Sequence, residues 1–233
     1  MPGSTPYGAG MPRILRALLL AFTATLALAT PASAALVINE IDYDQPSTDT
    51  AEFLEIANTG TEPVELGTYS VRLINGGVTP PAQYRSFTLP AGNLAAGDYF
   101  VVCGNGATVA NCDLDVTPDT DLIQNGAPDA ATLVNGDTTV DSVSYEGEMD
   151  GYTEGAAGAL ADTGADTQGI SRVPDGCDTN QNGTDFVVAS STPGAANGAS
   201  CGGDEPAVAS TDPAHGADEV DRDTNLTGPS TSR

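Results

Sequence analysis

The stretch Cys177-Asp178-Thr179-Asn180-Gln181-Asn182-Gly183-Thr184-Asp185-Phe186 holds the side chains best spaced for chemistry. Asp178, Asn180, Asn182 and Gly183 fall at the first, third, fifth and sixth positions of a calcium loop, where short oxygen side chains and a glycine turn wrap a hard cation. The twelfth position is Ala189, so the bidentate carboxylate that closes an EF-hand is absent, although Asp185 offers another oxygen. The same residues read equally as a polar Asn-Gly turn between strands, which turn chemistry favours. Weak calcium binding through Asp178, Asn180, Asn182 and Asp185 is the metal expectation, and no cofactor is required. Asn182-Gly183-Thr184 is also a glycosylation sequon.

Other candidates for chemistry are weaker. Asp42, Asp44, Asp49 and Glu52, and Asp113, Asp115, Asp119 and Asp121, form two more acidic groups, but with thirty-two acidic residues in the chain such groups arise by chance and read as solvated loop charge. Gly198-Ala199-Ser200-Cys201-Gly202 matches a nucleophile elbow, with Asp204, Glu205 and His215 downstream in hydrolase order. That motif requires a strand before it and a helix after it, whereas here it lies in a glycine-rich linker. His215, the single histidine, falls in a segment too short to bury a core. Tryptophan is absent, which removes the usual platform for a sugar. The expectation is that the chain is not an enzyme.

The elements that would position these residues begin after a leader. Arg13 and Arg16, an apolar run from about Ala17 to Ala29 and the exit Ala32-Ser33-Ala34 have the three parts of a secretory signal, so residues 1–34 are expected to be removed and the rest secreted, with no transmembrane segment left. Without Arg13 and Arg16, five basic residues face thirty-two acidic ones, a net charge of −27, and lysine is absent throughout. Such a field disfavours direct nucleic-acid binding, which draws its affinity from Lys and Arg displacing counterions. The four cysteines Cys103, Cys112, Cys177 and Cys201 then lie in a compartment that permits disulfides. Three pairings are possible. Neighbour pairing, Cys103 with Cys112 and Cys177 with Cys201, closes the shortest loops and is the expectation.

From Leu36 onward short strands alternate with turns. Tyr69, Val71 and Leu73 alternate with Ser70 and Arg72, and Phe87 and Leu89 continue the pattern in the next strand. Tyr99 to Cys103 is apolar on both parities, as in a strand covered on both faces. Asn135-Gly136 marks a hairpin. Residues 146–169, rich in Gly, Ala, Asp and Thr, read as a long mobile surface loop. The pattern predicts an all-β, immunoglobulin-like sandwich.

Asn39-Glu40-Ile41, the run Glu52-Phe53-Leu54-Glu55-Ile56-Ala57-Asn58-Thr59-Gly60 and the later "VELGTYSVRL", "TLPAGNLAAGDYFVV", "DTTVDSVSY", "GISRVPDG" and "STPGAAN" together resemble the lamin tail domain in its bacterial secreted form, over about 160 residues. The resemblance implies an immunoglobulin-like sandwich over residues 35–198 that serves as a non-catalytic binding or scaffolding module for an extracellular or cell-surface ligand. Bacterial members of the family are joined to secreted nucleases or phosphatases, so an amino-terminal remnant of such an enzyme is the alternative. Residues 199–205 read as a linker. Residues 206–233 resemble the truncated start of a bacterial Ig-like domain, expected to be disordered.

Overall fold

In the computed structural model the described residues are Gly3, 36–126, 128–165 and 167–201. Apart from Gly3, the expected leader at 1–34 lies outside them, as do the segment expected at 206–233 and Asp204, Glu205 and His215. Among the described residues twelve strands are present: β1 (Leu36–Asp42), β2 (Phe53–Asn58), β3 (Val64–Glu65), β4 (Tyr69–Asn75), β5 (Ala82–Thr88), β6 (Asn93–Leu94), β7 (Tyr99–Cys103), β8 (Leu114–Asp115), β9 (Asp129–Asn135), β10 (Thr138–Tyr145), β11 (Gln168–Arg172) and β12 (Phe186–Ser190). A single helical turn, α1 (Asn182–Asp185), precedes β12.

The strands form a sandwich. One sheet runs β12-β11-β1-β2-β7-β8, the other β10-β9-β4-β5, and β3 pairs with β6 in a small ribbon. Leu36, Ile38, Ile41, Leu54, Ile56, Val102 and Ile170 of the first sheet meet Val71, Leu73, Leu133, Val143 and Tyr145 of the second in one buried cluster. The architecture is the immunoglobulin-like sandwich that the strand pattern predicts.

Two irregularities decide which side chains face inward. In β1 the register against β2 shifts between Ile38 and Glu40, a bulge at Asn39. An extra residue in one strand inverts the alternation beyond it. Ile38 and Ile41, three apart, therefore both reach the core, and Asn39 and Glu40 are both left to the sheet's other side. A second shift in β10, between Thr139 and Asp141, brings Asp141 inward, where its Oδ2 accepts the Ile38 N–H at 2.6 Å.

Both outer faces are covered. Over the first sheet, Phe53, Val101, Cys103 and Val109 make a second small core beside the Cys103–Cys112 disulfide, which explains why β7 is apolar on both parities. Over the second sheet, Met149 packs on Ile74 and Ala130. The stretch from Glu146 to β11 is irregular and lies largely at the surface, as expected, with Met149, Ala159 and Asp162 buried as anchors. Its small residues serve close approach: a Cβ on Gly158 would lie 2.1 Å from the Gly147 carbonyl oxygen. Ala159 lies in the main core and donates its N–H to the Ser144 carbonyl at 2.7 Å, while Asp162 accepts the backbone N–H groups of Tyr43 and Asp44.

The β9–β10 hairpin forms where Asn135-Gly136 predicts it, with the turn shifted by one residue. Asn135 pairs with Thr138, leaving Gly136 and Asp137 as the turn, and Gly136 takes φ +59°, a conformation that costs a residue with a Cβ. The second disulfide joins Cys177 to Cys201, so the cysteines pair as neighbours.

Candidate functional site

The loop with calcium-like spacing is folded around a cation of the protein's own. Arg172, the last residue of β11, is fully buried. Its Nε donates to the Ile38 carbonyl (3.1 Å), Nη2 to Asp141 Oδ2 (3.2 Å), and Nη1 to Asp178 Oδ1 (3.2 Å), Asp185 Oδ2 (3.0 Å) and the Cys177 carbonyl (3.2 Å). The guanidinium also sits 4.6 Å from the centre of the Phe186 ring. A planar donor fork can face several carboxylates at once, which suits Arg and not Lys to this position.

The same carboxylates organise the loop. Asp185 accepts the Thr179 N–H at 2.8 Å and the Thr179 hydroxyl at 2.5 Å, and Asp178 accepts the Asn180 N–H at 2.9 Å. Of the calcium candidates, Asp178 and Asp185 thus converge on Arg172, whereas Asn180 is exposed and Asn182 turns the opposite way. Asn182 is fully buried: its Nδ2 donates to the Ser142 carbonyl at 2.9 Å, and its Oδ1 accepts the Ser144 N–H at 3.2 Å and the Glu154 N–H at 3.0 Å. It stands in for a neighbouring strand along the edge of β10. A side chain so held leaves no free amide for a glycan.

One other grouping of oxygens occurs here. Asp141, Glu154 and Asp178 each bring a carboxylate oxygen within 4.8 Å of the others. Burial, reinforced by the charges of Asp141 and Asp178, pushes the Glu154 carboxyl up to about 8. A proton on Glu154 relieves the repulsion that Arg172 leaves unneutralised. Calcium and magnesium at equal ionic strength are expected to raise the melting temperature by equal, small amounts, because Arg172 already engages Asp178 and Asp185. A calcium-specific rise that disappeared in Asp178→Ala would show a true site.

A second polar network lies on the outer side of the first sheet, beneath a strap formed by Ser191 to Asn197. Glu40 accepts the Ser171 hydroxyl at 2.8 Å and the Thr192 N–H at 3.0 Å. Glu55 accepts the Asn39 amide at 2.9 Å and the Gly194 N–H at 2.6 Å. Asp175 accepts the Asn39 amide and the Asn197 N–H, each at 2.9 Å, and the Tyr99 hydroxyl at 2.6 Å. Burial pushes the Glu40 carboxyl up to about 7 and that of Glu55 to about 8, with the N–H and O–H donors restraining both. Glu52 does the same for a different segment: it accepts the N–H groups of Leu122 (2.5 Å) and Ile123 (2.9 Å), and burial raises it to about 7.

The reading of the acidic groups as solvated charge holds for Asp113, Asp115, Asp119 and Asp121, which are exposed, and is corrected for the first group. Asp42, Asp49 and Glu52 are buried. Asp49 accepts the Gln45 N–H at 2.9 Å, and Gln45 Nε2 donates to Asp42, so the group folds its own loop. Asp113 and Asp115 accept the Val101 and Gly106 N–H groups at 2.9 and 3.1 Å. Sequence reasoning missed Arg172 altogether. Its signal was a lone arginine ending a short strand in a chain with few bases and carboxylates close downstream. At the apparent nucleophile elbow Ser200 is exposed and Cys201 is consumed in its disulfide.

The fold is an immunoglobulin-like sandwich whose acidic and amide residues staple outlying segments to its sheets. The chain belongs to the lamin tail domain family, whose model matches residues 29–147, just over half of its 233 residues. No curated protein matches it. The match ends shortly after β10, so the resemblance traced through β11 and the strap extends beyond it. No helix among the described residues is long and apolar enough to cross a membrane.

Proposed function

We propose that this chain is an exported, non-catalytic binding or scaffolding module of the bacterial secreted type of lamin tail domain, acting on an extracellular or cell-surface ligand. The observation that supports this most is how the signature residues are used. Asn39, Glu40, Glu52 and Glu55 each bind backbone N–H groups or side-chain partners of distant segments, and no buried side-chain nitrogen or oxygen among the described residues lacks a partner. A catalytic carboxylate must instead face a cleft where it can reach a water or a substrate. The two disulfides suit an oxidising compartment. A net charge of −25 for the whole chain favours ligands other than nucleic acid.

The purified mature chain is expected to hydrolyse nucleic acid, phosphate monoesters and diesters, and glycosides no faster than buffer. Turnover that survived Ser200→Ala and fell with a chelator would overturn the reading and restore metal-dependent hydrolysis.

A further inference from the structure

The sheet edges of this sandwich are not alike. The free side of β10 is filled by the Asn182 amide and by the Ala159 N–H. The edge strand β8 is two residues long. β5 carries a register shift opposite Leu73 and Ile74 and follows Pro80-Pro81. Bulges, prolines, short strands and covers are the means by which proteins keep an edge from pairing with another chain. The remaining edge, β12, has none of them among the described residues.

Phe186-Val187-Val188-Ala189-Ser190 pairs with β11 in unbroken register and contains neither charge nor proline. The phase of its backbone follows from the bonds flanking the ladder. Val173 N–H donates to the Asp185 carbonyl at 2.9 Å, and Ser191 N–H to the Thr167 carbonyl at 3.4 Å. With Ser171 opposite Val187 and Gly169 opposite Ala189, the odd-numbered residues bond inward to β11. Phe186, Val188 and Ser190 therefore direct their N–H and C=O groups away from the sheet. The Phe186 N–H is taken by the Asn182 carbonyl, but those of Val188 and Ser190 have no partner among the described residues. Val187, beside them, is 37% exposed.

Charge selects the occupant. At the Phe186 end, Asp141, Asp178 and Asp185 share Arg172 as their one ion-pair partner among the described residues. At the Ser190 end, the Ser191 hydroxyl donates to Asp42 at 2.7 Å, and Asp42 lies in the field of Asp44, Asp49 and Asp162. Both ends are acidic, so a second copy of this chain would bring like charge against like. We propose that β12 is a docking edge that takes an extended, positively charged segment of another polypeptide as an added strand, with basic residues flanking a short apolar centre. Main-chain bonds to Val188 and Ser190 hold such a segment, Val187 and Ala189 meet its apolar side chains, and the negative field at the two ends draws its basic residues. The inference rests on the binding-module reading and supplies its partner class.

The test uses the full mature chain and a labelled, end-blocked peptide Arg-Thr-Val-Thr-Val-Thr-Arg, with glutamate replacing both arginines in the control. Fluorescence anisotropy is expected to show saturable binding of the arginine peptide and at least about tenfold weaker binding of the control. Val188→Pro removes an outward N–H without breaking a bond to β11 and should weaken binding by about tenfold or more. Val187→Lys, at an exposed side chain, should weaken it severalfold while leaving the melt unchanged, which keeps the test valid if the proline variant unfolds. Amide exchange at Val188 and Ser190 should slow on addition of the peptide. Equal affinity for both peptides, affinity untouched by Val187→Lys, or no binding would each overturn the inference, as would self-association that Val188→Pro or Val187→Lys abolishes, since the occupant would then be a second copy. Hydrolysis assays on the same preparation separate the two readings: turnover overturns the binding-module reading, whereas failed peptide binding without turnover overturns the docking edge alone.

Discussion

Arg172→Met is expected to destabilise the domain by about 3–5 kcal/mol at neutral pH, the cost typical of removing one partner from a buried ion pair. Methionine retains most of the aliphatic stem and the contact with Phe186, so little of the loss comes from a cavity. What is lost is the cation that Asp141, Asp178 and Asp185 share, with side chains that are 0%, 6% and 3% exposed. Backbone donors remain for each of them: Ile38 and Ser142 for Asp141, Thr179 and Gln181 for Asp185, and Asn180 for Asp178. The penalty is therefore chiefly repulsion between carboxylates in a poorly solvated place. Adding Asp141→Asn to Arg172→Met should recover part of the loss, a non-additivity that identifies direct coupling. Urea denaturation of the single and double variants measures both effects. A loss below about 1 kcal/mol for Arg172→Met would mean that the network sets the loop's shape without stabilising the fold.

Much of the sandwich is legible in single residues. The alternation in β4, the double-sided apolarity of β7 and the Asn135-Gly136 hairpin all report local periodicity, which depends only on which faces are covered. The bulge at Asn39 is not legible in this way, because it is set by pairing with β2. Strict alternation from Leu36 would send Ile41 outward and split Asn39 and Glu40 between the faces; the register shift does the opposite. The anchors of the surface stretch after Glu146 are not legible for a related reason. Small residues lower the cost of disorder but also permit the close backbone contact seen at Gly158, and composition alone does not separate the two. In the loop after Cys177, of the spaced oxygens only Asp178, joined by Asp185, gathers about a positive charge. That charge comes from Arg172, which belongs to another element and is invisible to a reading of the loop alone.

The same buried carboxylates should invert the usual response to acid. Glu40 and Glu52 are raised from 4.5 to about 7, and Glu55 and Glu154 from 4.5 to about 8, in each case mainly by burial. Between about pH 4.5 and these values the folded chain holds protons that the unfolded chain has released, so unfolding releases protons and stability falls as pH rises. The contribution is complete below about 4.5 and is lost as pH climbs through 7 and 8. Each proton so held is worth about 1.4 kcal/mol per pH unit, and restraint by the hydrogen bonds and solvent relaxation lowers the sum, so the domain is expected to lose on the order of 5 kcal/mol between pH 5 and 8. Repulsion within a strongly acidic chain acts in the same direction, but salt screens exposed charges and leaves buried ones largely unscreened. Urea titrations at pH 5, 6.5 and 8, repeated in 0.5 M salt, roughly three times the physiological ionic strength, should therefore retain most of the slope. Glu55→Gln should flatten it by about one proton's worth. Stability that stayed level or rose from pH 5 to 8 would mean that Glu40 and Glu55 are ionised beneath the strap, held in that state by the N–H groups of Thr192 and Gly194.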